Sequence, residues 1–285
     1  MQSIAYVNGQ YLPIDVAAVS ILDRGYQFAD SVYEVVLWEK YDWVDWDLHY
    51  KRLQRSVVEL GIQKLPASQV LRVIAMHLLK VNKINTRAML YLQFSRGAAA
   101  RNHLIPKEIN PTLVMTLTSL ADKPVNQAVP VITLEEIRWA RCDIKSTSLL
   151  ANVLARQIAE EQGAAEALFY RLQDECISEG SSSNVFMFDR NDVLLTAPEC
   201  REILGGVTRK RVISSALAMG LVVREQFFTR QMLYEAKEAF LTSSTKGILP
   251  ISTVDGVSIG NGRPGVKSQE LEQFYWDHIW EKQPL

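Results

Sequence analysis

The chain has 285 residues, 48% of them hydrophobic and 22% charged, with a formal net charge of -1. That is an ordinary globular balance with length for one large or two medium domains, and nothing in it calls for nucleic acid or another polyanion as partner. The apolar runs are short and interrupted, so no membrane span is expected, and Met1-Gln2-Ser3-Ile4 has no basic region followed by an apolar core, so no secretion signal is expected.

Tyr6 to Leu12 reads as two short strands around Asn8-Gly9, a strong hairpin signal. Ser31 to Trp38 reads as a strand with Tyr33, Val35 and Leu37 on one face and Val32, Glu34, Val36 and Trp38 on the other. Asp47 can cap a helix that runs to Leu60 and stops at Gly61. On that helix His49, Arg52 and Ser56 are three and four apart, so they share a face; a solvated polar face is the ordinary alternative. Ser68 to Val81 reads as a second helix and Ala88 to Ser95 as a strand. Arg96 to His103 is a small-residue loop in which Arg101 and His103, two apart in an extended segment, point the same way and suit a carboxylate. Thr112 to Thr118 closes this half as a strand.

Domains are expected at 1–120 (a smaller N-terminal α/β domain) and 131–285 (a larger C-terminal domain), joined by a linker at 121–130. In the second half Lys145 precedes an amphipathic run, Leu149, Leu150, Val153, Leu154 and Ile158, that reads as a helix core stripe. Ser146, Thr147 or Ser148 can cap that helix. A lysine near a positive helix end and out of water has its charged form disfavoured, which makes it a nucleophile for carbonyls; taken alone, a surface lysine before an ordinary helix is the commoner reading. Strands are expected near 131–133, 167–170, 184–188, 193–196, 222–225, 239–242 and 251–254, and helices at 149–162, 208–219, 230–237 and 268–281. Short turns such as Asp189-Arg190-Asn191-Asp192 join several strand pairs, so a mixed α/β (α+β) fold with mixed sheets and packed helices is expected rather than a parallel sheet.

Three further stretches stand out. Glu179 precedes Gly180 and three serines. Leu204-Gly205-Gly206-Val207-Thr208-Arg209 is a Gly-rich turn opening a helix, the general recipe for an anion site. Thr242-Ser243-Ser244-Thr245 supplies four hydroxyls, as a second phosphate-contacting loop or a plain polar turn. Cys142, Cys176 and Cys200 are odd in number and widely spaced, so neither a disulfide framework nor a zinc site is expected. The expected setting is the cytoplasm, with reduced thiols. No G-x-S-x-G, H-E-x-x-H or G-x-x-x-x-G-K-[ST] motif occurs. Ser181 to Ser183 therefore make a poor serine hydrolase.

In order, Asp23-Arg24-Gly25-Tyr26-Gln27-Phe28, Tyr33-Glu34-Val35, His49-Tyr50-Lys51-Arg52-Leu53, Arg101-Asn102-His103, Asp143-Ile144-Lys145-Ser146, Glu179 to Asn184 and Gly206-Val207-Thr208-Arg209 resemble the class IV (fold-type IV) pyridoxal-phosphate aminotransferases, nearest to the bacterial D-amino-acid enzymes among them. The resemblance implies a two-domain enzyme with its active site between the domains at a homodimer interface, and a C-terminal domain that binds pyridoxal 5'-phosphate. It implies that Lys145 holds the cofactor as a Schiff base and acts as acid and base, and that Glu179 keeps the pyridine nitrogen protonated. It further implies that Arg52, Val207, Thr208 and Ser244 hold the phosphate, and that Tyr33, Arg101 and His103 hold the substrate carboxylate. The implied reaction is transamination between a D-amino acid, such as D-alanine or D-glutamate, and a 2-oxo acid. Branched-chain L-amino-acid aminotransferase, (R)-amine aminotransferase and aminodeoxychorismate lyase are the alternatives on the same fold. A pyridoxal-phosphate-binding regulatory protein without turnover is less suited to an intact Lys145 and Glu179. The family's Gly-Asp-Gly-Val-Tyr-Glu reads Ala29-Asp30-Ser31-Val32-Tyr33-Glu34 here, which narrows the backbone options before Tyr33.

Overall fold

A computed structural model of the chain describes residues 3–121 and 127–281. The centre of the expected linker, 122–126, lies outside the described residues. The chain divides into two compact units, Met1–Asp122 with Ile144–Ser148, and Lys123–Asp143 with Leu149–Leu285. The lysine segment thus belongs to the first unit although second-unit residues flank it on both sides in the sequence.

The first unit is built from β1 (Ile4–Val7), β2 (Gln10–Pro13), α1 (Arg24–Phe28), β3 (Ser31–Glu39), β4 (Asp42–Trp43), α2 (Trp46–Glu59), α3 (Ser68–Val81), β5 (Ala88–Ser95) and β6 (Thr112–Ser119). Its six strands form one antiparallel sheet in the order β2-β1-β6-β5-β3-β4. The Asn8-Gly9 hairpin forms as expected, with positive φ at both residues (45° and 95°), the backbone a tight two-residue turn demands. Along β3 the alternation holds as far as Val36: Val32, Glu34, Val36 and Trp38 are buried and Tyr33 and Val35 are partly open, but Leu37, on the Tyr33 face, is buried as well. The buried face packs with Leu90 and Leu92 of β5, Leu53 and Val57 of α2, and Leu71, Ala75 and Leu78 of α3. Helix α2 starts two residues earlier than the sequence suggests. Its N-cap is Asp45 in a left-handed conformation without a side-chain cap, and Asp47 lies in the first turn, where its charge favours the helix dipole.

The second unit contains β7 (Val129–Glu135), α4 (Leu150–Glu161), β8 (Glu166–Tyr170), β9 (Ile177–Gly180), β10 (Asn184–Phe188), β11 (Leu194–Thr196), α5 (Val207–Ala218), β12 (Val223–Glu225), α6 (Arg230–Tyr234), β13 (Glu238–Ser243), β14 (Gly247–Val254), β15 (Val257–Ser258) and α7 (Val266–Asp277). The sheet runs β12-β11-β10-β13-β14-β7-β8-β9, with β15 on β14. The β11–β12, β14–β7 and β7–β8 pairs are parallel and the rest antiparallel, the mixed sheet expected from the short turns.

Helix α4 departs from the reading of its sequence. Its buried residues are Ala155 and Ala159, which pack with Ile132, Ala167 and Phe169 of the parallel strands. Leu150, Val153 and Leu154 are 72%, 60% and 50% exposed. Small residues let the helix lie close on the sheet, so the alanine face is the inward one and the larger stripe faces away. Burial of such side chains is worth roughly 1.5–3 kcal/mol each, which α4 does not gain within this chain. Its N-cap is Leu149, and none of Ser146, Thr147 or Ser148 caps it.

Ala29 closes α1 in the left-handed region, at φ 54° and ψ 26°. An L-residue with a Cβ pays roughly 1–2 kcal/mol there, and glycine does not. Ala29→Gly should therefore stabilise the protein by about 1 kcal/mol after the extra unfolded-state entropy of glycine is counted, measured as a rise in the urea midpoint at unchanged slope.

Candidate active site

Alternation along β3 and the helical repeat of α2 together build the first cluster. Glu34 lies on the buried face of β3, among apolar neighbours, and so requires partners. It receives Arg52 Nε at 2.8 Å on Oε1, and Arg52 Nη2 at 2.8 Å and His49 Nδ1 at 2.7 Å on Oε2. The shared face of His49, Arg52 and Ser56 is therefore directed at β3 and is not solvated; the Arg52 side chain is 11% exposed. Burial raises the Glu34 carboxyl, but the Arg52 charge and bonds, with His49, outweigh it and hold the group at about 2.

Ser56, one turn on, accepts from the Lys145 backbone N–H at 3.2 Å. Residues 145–147 run along the free edge of β3: Tyr33 N donates to Lys145 O at 3.0 Å, Thr147 N donates to Ser31 O at 3.1 Å, and Val32 and Ser146 form an antiparallel bridge. This sheet edge, rather than a helix start, positions the lysine. Its Nζ stands 4.3 Å from the centre of the Tyr33 ring, which itself lies against Tyr91 at 5.7 Å. Ser31, in place of the family's glycine, is fully buried and shares its hydroxyl with Thr147 Oγ1 at 2.6 Å and Gln93 Nε2 at 3.1 Å. Arg101 and His103 lie in an exposed loop, and both approach Phe28, the Arg101 Cζ at 5.3 Å and the His103 ring at 5.4 Å from its centre.

In the second unit Glu179, on β9, is buried. Its Oε1 accepts from Arg138 Nη1 at 2.5 Å, and its Oε2 accepts from Asn184 Nδ2 at 2.9 Å and from Leu204 N at 3.0 Å. Arg138 is shared with Glu136, to which it donates at 2.8 and 2.6 Å. Burial, only partly offset by Arg138, pushes the Glu179 carboxyl up to about 7. Glu136 is also largely buried, yet its bonds to Arg138 hold it below the usual range. Arg138 and Asn184 are partners of Glu179 that the sequence does not single out. Asn184 was in view as the end of the serine run, whereas a single arginine 41 positions before Glu179 carries no local signal.

The Gly-rich turn is a packing requirement as well as an anion motif. A Cβ on Gly206 would fall 2.0 Å from Asn184 Oδ1, and one on Gly180 would fall 2.5 Å from Glu166 Oε1 and Ser183 Oγ. Gly206 is the N-cap of α5, which has no side-chain cap and opens with the buried Val207 and Thr208. The Ser181 and Thr242 hydroxyls are buried without a hydrogen-bond partner among the described residues. Thr242 and Ser243 prove to be strand residues, and Ser244 begins the turn between β13 and β14. α5 packs against β13.

A family model described as amino-transferase class IV matches residues 31–254. D-alanine aminotransferases of Staphylococcus epidermidis and of Listeria monocytogenes serotype 4b are 35% and 37% identical, each over 96% of this chain and 97% and 95% of their own lengths. That of Bacillus licheniformis is 37% identical over 93% of both chains. Among solved structures, the branched-chain amino acid aminotransferase of Escherichia coli has a TM-score of 0.90 at 22% identity, covering 98% of this chain and 95% of its own. That of Thermobaculum terrenum in its PLP form has a TM-score of 0.86 at 20% identity, covering 99% and 95%; these two likenesses carry the fold. With a family model over most of its length and relatives of this identity, the chain belongs to the class IV aminotransferases, and it is an enzyme of that fold. No helix among the described residues is long and apolar enough to cross a membrane.

The Glu34 cluster has an acid signature. Because its folded pKa of about 2 lies below the ordinary 4.5, its contribution is present above pH 4.5 and lost as pH falls toward 2. Cofactor-free wild type should lose about 3 kcal/mol from this group over that range. Glu34→Gln should be less stable at pH 7, because Arg52 and His49 lose their buried partner, and should show a shallower decline below pH 4.5. Urea titrations at several pH values read both effects.

Proposed function

We propose that this chain is a pyridoxal-5'-phosphate-dependent transaminase that exchanges the amino group of a D-amino acid, such as D-alanine or D-glutamate, with a 2-oxo acid, working as a homodimer in the cytoplasm. One observation carries the reading: relatives named D-alanine aminotransferases are 35–37% identical along nearly the whole chain. The Arg101-Asn102-His103 element, with Arg101 and His103 both near Phe28, supports it. When bound, the cofactor supplies an electron-withdrawing ring that acidifies the substrate's α-carbon.

The donor set suits that cofactor. The start of α5, with no side-chain cap, offers backbone amides and the positive end of its dipole to a phosphate. Val207, Thr208 and Ser244 supply amide and hydroxyl donors, and Arg52, held in place by Glu34, supplies charge. The buried hydroxyls of Ser181 and Thr242, which have no hydrogen-bond partner among the described residues, are the kind of groups a polar ligand satisfies. Glu179 favours a cation beside it, because burial has made its own charge costly; a protonated ring nitrogen is such a cation.

Lys145 Nζ takes the proton from the substrate's α-carbon and returns it across the amino nitrogen. Tyr33, Arg101 and His103 hold the substrate carboxylate by charge-assisted bonds. Because the lysine works from one face, the side on which the carboxylate is held selects the enantiomer. Arg101 and His103 serve the pocket of a second copy. The exposed Leu150, Val153 and Leu154 of α4 are an apolar face that a second copy would cover.

Borohydride reduction of the holoenzyme followed by peptide mapping should place the label on Lys145; label on Lys246 or Lys267 removes it from this role. In stopped-flow spectra, D-alanine should convert the bound cofactor to its amine form, and L-leucine should not. Arg101→Ala should cost about 1.5–3 kcal/mol in kcat/KM for D-alanine and far less for an amine without a carboxylate. A faster reaction of L-leucine than of any D-amino acid overturns this reading in favour of a branched-chain enzyme.

A further inference from the structure

We infer that Arg24 is a positioning residue for substrate recognition: it holds the loop that carries Arg101 and His103, and so sets the affinity for the substrate carboxylate. The inference rests on the carboxylate role proposed above.

The loop has little else beneath it. Residues 101–105 are exposed and outside regular secondary structure. The base of the loop is tied down, by a bridge between Asp23 and Ala98 and by Ala99 N donating to Leu22 O at 3.2 Å. Beyond that base, Arg24 reaches the backbone. The residue is 4% exposed. Its Nη1 donates to Asn102 O at 2.6 Å and, at longer range, to Leu104 O at 3.4 Å, while Nη2 approaches His103 O at 3.5 Å. Three consecutive loop carbonyls thus gather on one guanidinium, with the short bond at Asn102, between the two side chains that matter.

Arg24 is itself fixed. Its backbone N donates to Gly97 O at 2.9 Å, and its Nε donates to Asp30 Oδ2 at 2.8 Å. Asp30 also receives Arg96 Nε at 2.7 Å and Nη2 at 2.9 Å, and Arg96 continues to Leu60 O at 2.6 Å and Gly61 O at 3.0 Å. The chain of contacts therefore runs from the end of α2 through Arg96, Asp30 and Arg24 into the loop. The Phe28 ring completes the support, with the Arg24 Cζ 4.9 Å from its centre and Arg101 and His103 approaching the same ring. A planar fork can serve Asp30 on one edge and carbonyls on the other; a lysine ammonium, a single point with three donors, cannot span both.

The test is a double-mutant cycle on the holoenzyme, read by the D-alanine half-reaction. Arg24→Lys keeps the charge and loses the span. It should lower kcat/KM for D-alanine about tenfold, chiefly through KM, with kcat changed less than twofold, and the cofactor spectrum and Tm near wild type. In an Arg101→Ala, His103→Ala background the same substitution should change kcat/KM less than twofold, because there is no longer a carboxylate grip to position. Equal losses in both backgrounds would assign Arg24 to general stability and overturn the inference while leaving the site reading intact. Wild type inert toward every D-amino acid would overturn the site reading and this inference with it. Should Arg24→Lys fail to fold, Arg24→Gln is put through the same cycle; failure of both to fold with cofactor also overturns the positioning role.

Discussion

The first unit depends on the docking of residues 145–147 along the edge of β3. Two backbone hydrogen bonds, Tyr33 N to Lys145 O and Thr147 N to Ser31 O, make a segment from far along the chain into an additional edge partner of the N-terminal sheet. Register then does the rest. A strand edge fixes its partner to within one residue, because a slip would turn every side chain to the other face. With the register set, the lysine ammonium lies over the Tyr33 ring, Ser56 of α2 caps the Lys145 amide, and Thr147 meets the Ser31 hydroxyl. The segment is held by the sheet and by α2 together, the rigidity that the acid–base role proposed for Lys145 requires.

Two buried carboxylates illustrate how the charge of the partners decides protonation. Burial raises the carboxyls of both Glu34 and Glu179, yet they move in opposite directions, to about 2 and about 7. Glu34 has both edges of its carboxylate met by a bidentate arginine and a histidine. Glu179 shares its arginine with Glu136 and otherwise has only neutral donors. The first is a closed structural pair, costly to break and indifferent to further charge. The second retains a demand for positive charge, which is what the role proposed for it beside a cationic ring atom requires.

The departures from the family's glycines have different characters. Ala29 accepts left-handed backbone strain at the end of α1. Ser31 turns its added bulk into a buried hydroxyl bond with the lysine-bearing segment. One substitution costs stability and the other adds a contact, and both flank Asp30, the carboxylate on which Arg24 and Arg96 converge.

What the sequence determined by itself was everything set by short periods. The Asn8-Gly9 hairpin, the two faces of β3 and the common face of His49, Arg52 and Ser56 follow from repeats of two and of three to four residues, which the backbone enforces locally. The order of the motifs was also enough for the resemblance to the class IV aminotransferases, since a motif is a local pattern. The tertiary structure alone decided which way a face points and which distant groups meet. The leucines of α4 formed a helical stripe, but a close fit to the parallel strands needs small side chains, so Ala155 and Ala159 are buried instead. Lys145 precedes a helix in the sequence, yet a strand edge holds it. The bonds from Arg138 to Glu179 and from Arg24 to Asn102 join residues 41 and 78 positions apart. No periodicity reaches that far, because such pairs are created by the topology of the sheets and not by the geometry of any one element.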